Sequence, residues 1–153
     1  MSPEVRRELD YVIIRPHSPD DQNAIEQLHL GNWPKSNSKK DSAPEDLIPE
    51  PGETVFIAED SIGEMVGCIY YFPRLVDVDL HGLVVKKACR RQGIAAELIR
   101  VAEEQAQRDG FVRITIEAAS KKLVNYYQSL GFSLISNSRK RLAKDIGTKQ
   151  FAV

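Results

Sequence analysis

Hydrophobic positions in this chain fall first into alternating runs and later into helix-period stripes, and that change of period predicts its architecture. Tyr11 to Arg15 is a β-branched and aromatic run that predicts an opening strand. Asp20 or Asp21 is placed to cap a helix carrying Ala24, Ile25 and Leu28 on one face. From Gly31 to Gly52 the periodicity collapses into Gly, Asn, Pro, Ser, Lys and Asp. This predicts a long polar loop anchored by Trp33, with at most one helical turn at Leu47 and Ile48. Thr54 to Glu59 and Met65 to Phe72 read as an antiparallel hairpin around the turn Asp60 to Glu64. A third strand, Val76 to Val85, follows Pro73. Ile94 to Asp109 predicts a helix with Ile94, Leu98, Val101, Ala102 and Gln105 along one stripe and Gly110 at its C-terminal cap. Val112 to Glu117 reads as a strand, Lys121 to Leu130 as a shorter helix ended by Gly131, and Phe132 to Ile135 and Gln150 to Val153 as final strands. A meander followed by strand–helix alternation predicts an α/β fold, a mixed sheet of six to seven strands with helices on both faces.

The third strand contains a break of phase. Val76, Val78 and Leu80 alternate with Asp77, Asp79 and His81, but Gly82 intervenes and Leu83 begins an unbroken apolar run. A phase break at a glycine inside a strand predicts a β-bulge.

Bulk properties narrow the picture further. No repeat or linker divides the chain, so residues 1–153 read as a single domain, and a chain of this length buries roughly 68–70% of its unfolded surface. The formal net charge of -1 gives no whole-molecule argument for nucleic acid or an anionic membrane as a partner. The N-terminal residues hold no signal-like apolar run and no stretch is long enough to span a bilayer, which points to the cytoplasm. Cys68 and Cys89 lack metal-like spacing and read as free thiols, and His17, His29 and His81 are scattered, so no metal is expected.

The chemistry concentrates at Arg90-Arg91-Gln92-Gly93-Ile94-Ala95-Ala96. This turn leads from a strand into a helix whose first amides lack intrahelical partners, and the helix dipole makes that end an anion site. Gly93, Ala95 and Ala96 allow close approach of backbone to anion, while Arg90 and Arg91 add charge. The turn has neither the GxxxxGK[ST] of a P-loop nor the GxGxxG of a dinucleotide fold.

The stretch from Leu83 through Ala95 resembles the acetyl-CoA-binding motif of the GNAT N-acetyltransferase superfamily. Leu83 and Val85 match its strand end, and Arg90, Gly93 and Ala95 match its [Arg/Gln]-x-x-Gly-x-[Gly/Ala] positions. Lys87 and Cys89 stand where many members carry proline and tyrosine. Tyr127-Gln128-Ser129-Leu130-Gly131-Phe132 is similar to the family's Tyr-x-x-x-Gly-Phe ending, with Ser120 at the position of a common Asn. The resemblance runs roughly from Val55 to Phe132. It implies a GNAT-like fold and acetyl-CoA as co-substrate, its pyrophosphate on Arg90 to Ala96 (Arg90, Arg91, Gln92, Gly93, Ile94, Ala95, Ala96). Its arm is expected on the backbone of Leu83, Val84 and Val85, with Ser120 and Tyr127 also in contact.

The resemblance further implies transfer of acetyl to a primary amine by direct attack in a ternary complex. Tyr127 is the candidate general acid, with Tyr126 beside it as the rival. The base is open between His81 and Glu117, with Asp79 on the same polar face and a water relay as further routes; histidine as a residue type titrates nearest neutral pH. Tyr70, Tyr71 and Trp33 are candidates for an acceptor pocket, and the basic run Arg139 to Lys144 reads as a solvated loop, with a contact to an acidic substrate or to a CoA phosphate as the alternative. The acceptor is expected to be a small-molecule or peptide amine, and a homodimer is compatible with the sequence. The alternative is a catalytically weak CoA-binding sensor or interaction domain. A nucleic-acid-binding role through the basic run is disfavoured by near-neutral charge and the lack of an aromatic-basic stripe.

Overall fold

A computed structural model describes residues 12–32 and 47–147 of the chain. Strand β1 (Ile13–Pro16) is followed by a 3-10 turn at Pro19–Asp21 that runs into helix α1 (Gln22–Asn32). Ser18 takes the cap position of the 3-10 turn, and its backbone N–H donates to Asp21 Oδ2 at 2.8 Å. Asp21 sits inside the turn because Arg15 claims it, donating from Nη1 to Oδ2 and from Nη2 to Oδ1, both at 2.8 Å. That bidentate pair, against the opposing effect of burial and with help from Ser18, holds the carboxyl down at about 2. Helix α1 continues through Gly31, where the sequence pattern places the start of a loop. A glycine inside a helix costs about 1 kcal/mol but ends it only where φ turns positive, and Gly31 is not among the positive-φ glycines.

Strands β2 (Thr54–Glu59), β3 (Met65–Pro73) and β4 (Val78–Val85) come next, then helix α2 (Ile94–Arg108), β5 (Arg113–Glu117), helix α3 (Lys121–Ser129), β6 (Ser133–Leu134) and β7 (Arg141–Asp145). The sheet order is β1-β2-β3-β4-β5-β7-β6. β4 and β5 pair in parallel, Val78 opposite Ile114 and Leu80 opposite Ile116, whereas β1–β2, β5–β7 and β6–β7 are antiparallel. This is the mixed α/β sheet that the alternation predicts, and it contains the left-handed glycine expected of the bulge: Gly82 has φ +62 inside β4.

The start of β4 and the strand β7 differ most from the sequence pattern. β4 begins at Val78 because Asp77 closes a turn, its carbonyl accepting the Arg74 N–H at 2.8 Å, and Val76 is left exposed. Arg141 to Asp145, read as solvated loop, is strand β7. Leu142 is its only fully buried side chain, so the run carries little period-two signal, and pairing to β5 and β6 overrides its polar composition. Tyr11, Trp33 and Gln150 to Val153 lie outside the described residues.

The chain forms two compact units. One gathers the described residues up to Tyr70 with Gly82–Ile99; the other gathers Tyr71–His81 with the described chain from Arg100 onward. In the first, Ile25, Leu28, Val55, Ile57, Cys68, Tyr70 and Val84 form one core cluster. In the second, Ile114, Ile116, Tyr127, Phe132 and Leu142 are buried. Their side chains supply the apolar burial, roughly 1.5–3 kcal/mol for each large one, that holds the strands in place.

Candidate active site

The turn predicted from sequence lies wholly within the first unit. β4 delivers Leu83, Val84 and Val85, the last two buried, to a 3-10 turn at Lys87–Cys89. Lys86 N–H donates to Val66 O at 2.8 Å and ties the strand end to β3. Arg91 then takes φ +64 and Gly93 φ +84, after which α2 begins. A left-handed arginine costs about 1–2 kcal/mol, and such outliers persist where the surroundings over-determine them, commonly at ligand sites. The first helical bond is Glu97 N–H to Gly93 O at 3.0 Å, so the amides of Ile94, Ala95 and Ala96 precede the ladder. A Cβ placed on Gly93 meets nothing within 4 Å, so the surface of the turn is open. Arg90, Arg91, Gln92 and Gly93 are exposed, Ala95 and Ala96 half-buried and Ile94 buried as the anchor of the helix start.

The two arginines have separate tasks. Arg90 donates from Nε to Val85 O at 3.0 Å and from Nη2 to Asn32 O at 2.6 Å, so its guanidinium braces the turn against β4 and the end of α1. Arg91 has no ion-pair partner among the described residues and presents its charge to solvent. Sequence reasoning missed Asn32. Its Oδ1 accepts the Lys87 N–H at 2.8 Å and its Nδ2 donates to Leu28 O at 3.0 Å, which closes α1 and fixes the turn together. It also missed Gly67, where a Cβ would stand 3.2 Å from Val84 O, 3.3 Å from Ile94 Cγ2 and 3.3 Å from Leu98 Cδ1. Any larger residue would crowd β4 and the first turns of α2, which would have to give by a few tenths of an ångström. A single glycine within a strand is the usual signal for such close approach.

Gly82 is required for a second reason besides its φ. Its Cβ would lie 2.6 Å from Tyr70 Cδ1, so the Tyr70 ring occupies the space a side chain would need. Tyr70 is itself fixed, its hydroxyl donating to Leu47 O at 2.5 Å, and Cys68 Sγ donates to Gly82 O at 3.8 Å. Burial pushes the Cys68 thiol up, so it stays neutral and unreactive. Tyr71 donates to Asp109 Oδ2 at 2.6 Å. Both tyrosines that sequence proposes for an acceptor pocket are thus buried braces.

The remaining predicted residues lie in the second unit. His81 and Glu117 each follow directly on the last parallel pair, Leu80 opposite Ile116, and both are exposed. Asp79, on the same face, is committed elsewhere: it accepts from Thr115 Oγ1 at 3.0 Å and pairs with Arg74 at 3.7 Å. Glu117 pairs with Lys140 at 3.1 Å and Arg141 at 3.7 Å. Ser120 caps α3, its Oγ accepting the Leu123 N–H at 3.2 Å. The Tyr127 ring is buried between Tyr126, 5.7 Å away, and Phe132, 6.1 Å away. Its hydroxyl has no partner among the described residues, yet no described buried side-chain oxygen is left unsatisfied, so the oxygen reaches the surface. Burial, and then the neighbouring Tyr126, push its pKa up to about 12, so the hydroxyl keeps its proton at neutral pH.

The model of the Acetyltransferase (GNAT) family matches residues 23–132. Solved structures with the same fold include the ribosomal-protein-S18-alanine N-acetyltransferase of Escherichia coli, 15% identical with a TM-score of 0.74, covering 94% of this chain and 99% of that one. The PaiA N-acetyltransferase of Thermoplasma acidophilum in complex with coenzyme A is 14% identical with a TM-score of 0.75, covering 88% and 99%. An aminoglycoside 6'-N-acetyltransferase complexed with coenzyme A is 19% identical with a TM-score of 0.68, covering 88% and 97%. The comparison with curated proteins finds no match. Among the described residues no helix is long and apolar enough to cross a membrane.

Proposed function

Because the chain belongs to the GNAT acetyltransferase family, we propose that it transfers the acetyl group of acetyl-CoA to a primary amine by direct attack. The observation that carries this reading is the turn at Arg90 to Ala96. A left-handed Arg91 and Gly93, an open surface and helix amides ahead of the first bond form a mould for a diphosphate.

The donor supplies an acetyl thioester, already activated toward an amine. The amides of Ile94, Ala95 and Ala96, with the backbone of Arg91, Gln92 and Gly93, hold its diphosphate, and Arg91 adds charge. The backbone of Leu83, Val84 and Val85, set by Gly82, receives the arm and supplies donors toward the thioester oxygen. Ser120, with its oxygen already accepting from Leu123, still has its hydroxyl hydrogen and one lone pair to offer the arm. As the amine nitrogen bonds to the acyl carbon and the carbon–sulfur bond breaks, His81 or Glu117 takes the proton that the nitrogen sheds. Tyr127 donates to the sulfur. Its raised pKa makes complete proton transfer to a thiolate, whose thiol has a pKa of about 8.5, an uphill step. Tyr127 therefore acts chiefly as a hydrogen-bond donor to the developing negative charge.

Thermal melts with and without acetyl-CoA, followed by free-thiol release over a panel of amines, test the reading. Stabilisation with turnover is expected. Absence of stabilisation would refute donor binding, and stabilisation with no turnover on any amine would favour a CoA sensor. His81→Ala and Glu117→Ala are expected to alter the pH–rate profile in at least one case; two unchanged profiles would leave a water route.

A further inference from the structure

The charge around Glu117 points to what the acceptor carries. β7 begins directly opposite this residue, Glu117 being in register with Arg141, and Ala118 N–H donates to Lys140 O at 2.7 Å. Three consecutive cations, Arg139, Lys140 and Arg141, therefore arrive beside one carboxylate, and all three are exposed. Their placement is built. Ser138 Oγ accepts the amide of Lys140 at 3.2 Å and that of Arg141 at 2.9 Å, and Asn137 turns the chain with φ +66. Asp79, opposite Thr115 on the neighbouring strand, is matched already to Arg74 at 3.7 Å. Around Glu117 the cations are in surplus, in a chain whose formal net charge is -1.

Exposed ion pairs of this kind are weak, so exchanging their partners costs little. An acceptor that brings an ammonium to Glu117 and carboxylates to Lys140, Arg139 and Arg141 replaces those pairs charge for charge. A polycation meets repulsion at the same place, and like-charge juxtaposition suppresses wrong partners.

Resting on the reading of Glu117 and His81 as the proton-accepting end, we infer that the acceptor is a peptide N-terminus followed by acidic residues. The peptide seats its carboxylates on Arg139 to Arg141.

The full chain is assayed by thiol release from acetyl-CoA with Ala-Glu-Glu, Ala-Lys-Lys and spermidine as acceptors. kcat/KM for Ala-Glu-Glu is expected to exceed that for Ala-Lys-Lys by at least about tenfold. Arg139→Glu combined with Lys140→Glu is expected to invert the preference while KM for acetyl-CoA stays unchanged. Arg141→Gln, which keeps the β7 pairing, is expected to shrink the preference and decides the matter if the double variant does not fold. Equal or faster turnover of Ala-Lys-Lys or spermidine, a preference unmoved by the variants, or an effect confined to KM for acetyl-CoA overturns the inference alone. Thiol release with none of the three acceptors but with another amine of the panel overturns this inference alone, and release with no amine at all overturns acetyl transfer as well.

Discussion

Replacing Gly82 by alanine tests the argument for how β4 is shaped, because two separable costs meet at that residue. The first is conformational: at φ +62 an L-residue is strained by about 1–2 kcal/mol. The second is steric, since the new Cβ would lie 2.6 Å from Tyr70 Cδ1 and 3.0 Å from Cε1. The ring cannot swing away freely, being almost fully buried and anchored through its hydroxyl to Leu47 O. Overpacking of this kind costs about 1–3 kcal/mol. Together they amount to about 2–5 kcal/mol, against a stability of about 5–15 kcal/mol for a typical domain. At about 2–4 °C per kcal/mol for a chain of this size, Tm should fall by about 4–20 °C. Gly93→Ala provides the internal control. Gly93 has φ +84 but nothing within 4 Å of its Cβ, so that variant carries only the conformational cost. Thermal unfolding of both variants should place Gly82→Ala clearly below Gly93→Ala, the gap measuring the ring contact. Equal melting temperatures would refute the steric half of the reasoning, and a Gly82→Ala protein as stable as wild type would refute both halves.

Tyr127→Phe keeps the buried ring and removes only the hydroxyl, so Tm should hold while kcat falls by about 10²–10³-fold, the cost of losing one donor to developing charge, with KM for acetyl-CoA unchanged, as read by thiol release. Arg90→Ala or Asn32→Ala unties the turn from the end of α1 and should raise Kd for acetyl-CoA by about three- to tenfold in a calorimetric titration, since each leaves bonded backbone groups unpaired. Asp21 titrates at about 2 when folded, below its ordinary value, so its pair with Arg15 stabilises the fold above pH of about 4 and is lost as pH falls towards 2. The pair supplies about 2 kcal/mol by that shift, and Asp21→Asn should lower Tm at pH 7 while leaving Tm below pH of about 2 nearly equal to wild type.

What the sequence revealed and what it hid follow from the range of the interactions involved. The Arg90 to Ala96 turn was legible because local chemistry defines it, a change of hydrophobic period beside a glycine. The break at Gly82 was legible as a loss of phase, but its cause, the Tyr70 ring, comes from another strand and leaves no local mark. Asn32 looked like loop punctuation after Gly31, since its bonds reach Lys87 and Arg90, far along the chain. β7 was hidden because its pattern holds one buried apolar residue, Leu142, and its stability comes from pairing with β5 and β6. The bonds of Arg90 to Val85 and Asn32 leave no mark in the spacing, which shows a cation at the turn but not what its guanidinium holds.

The bonds that Asn32 makes have a thermodynamic corollary. The same side chain closes the last turn of α1 and holds the Lys87 amide, so melting of that helical end and loosening of the phosphate turn draw on one pair of hydrogen bonds. Linkage is reciprocal: whatever coupling free energy an ordered α1 end lends to diphosphate binding, binding returns to the ordering of that helical end. Protection of the α1 amides against hydrogen exchange should then rise on donor binding, at residues that never touch the donor.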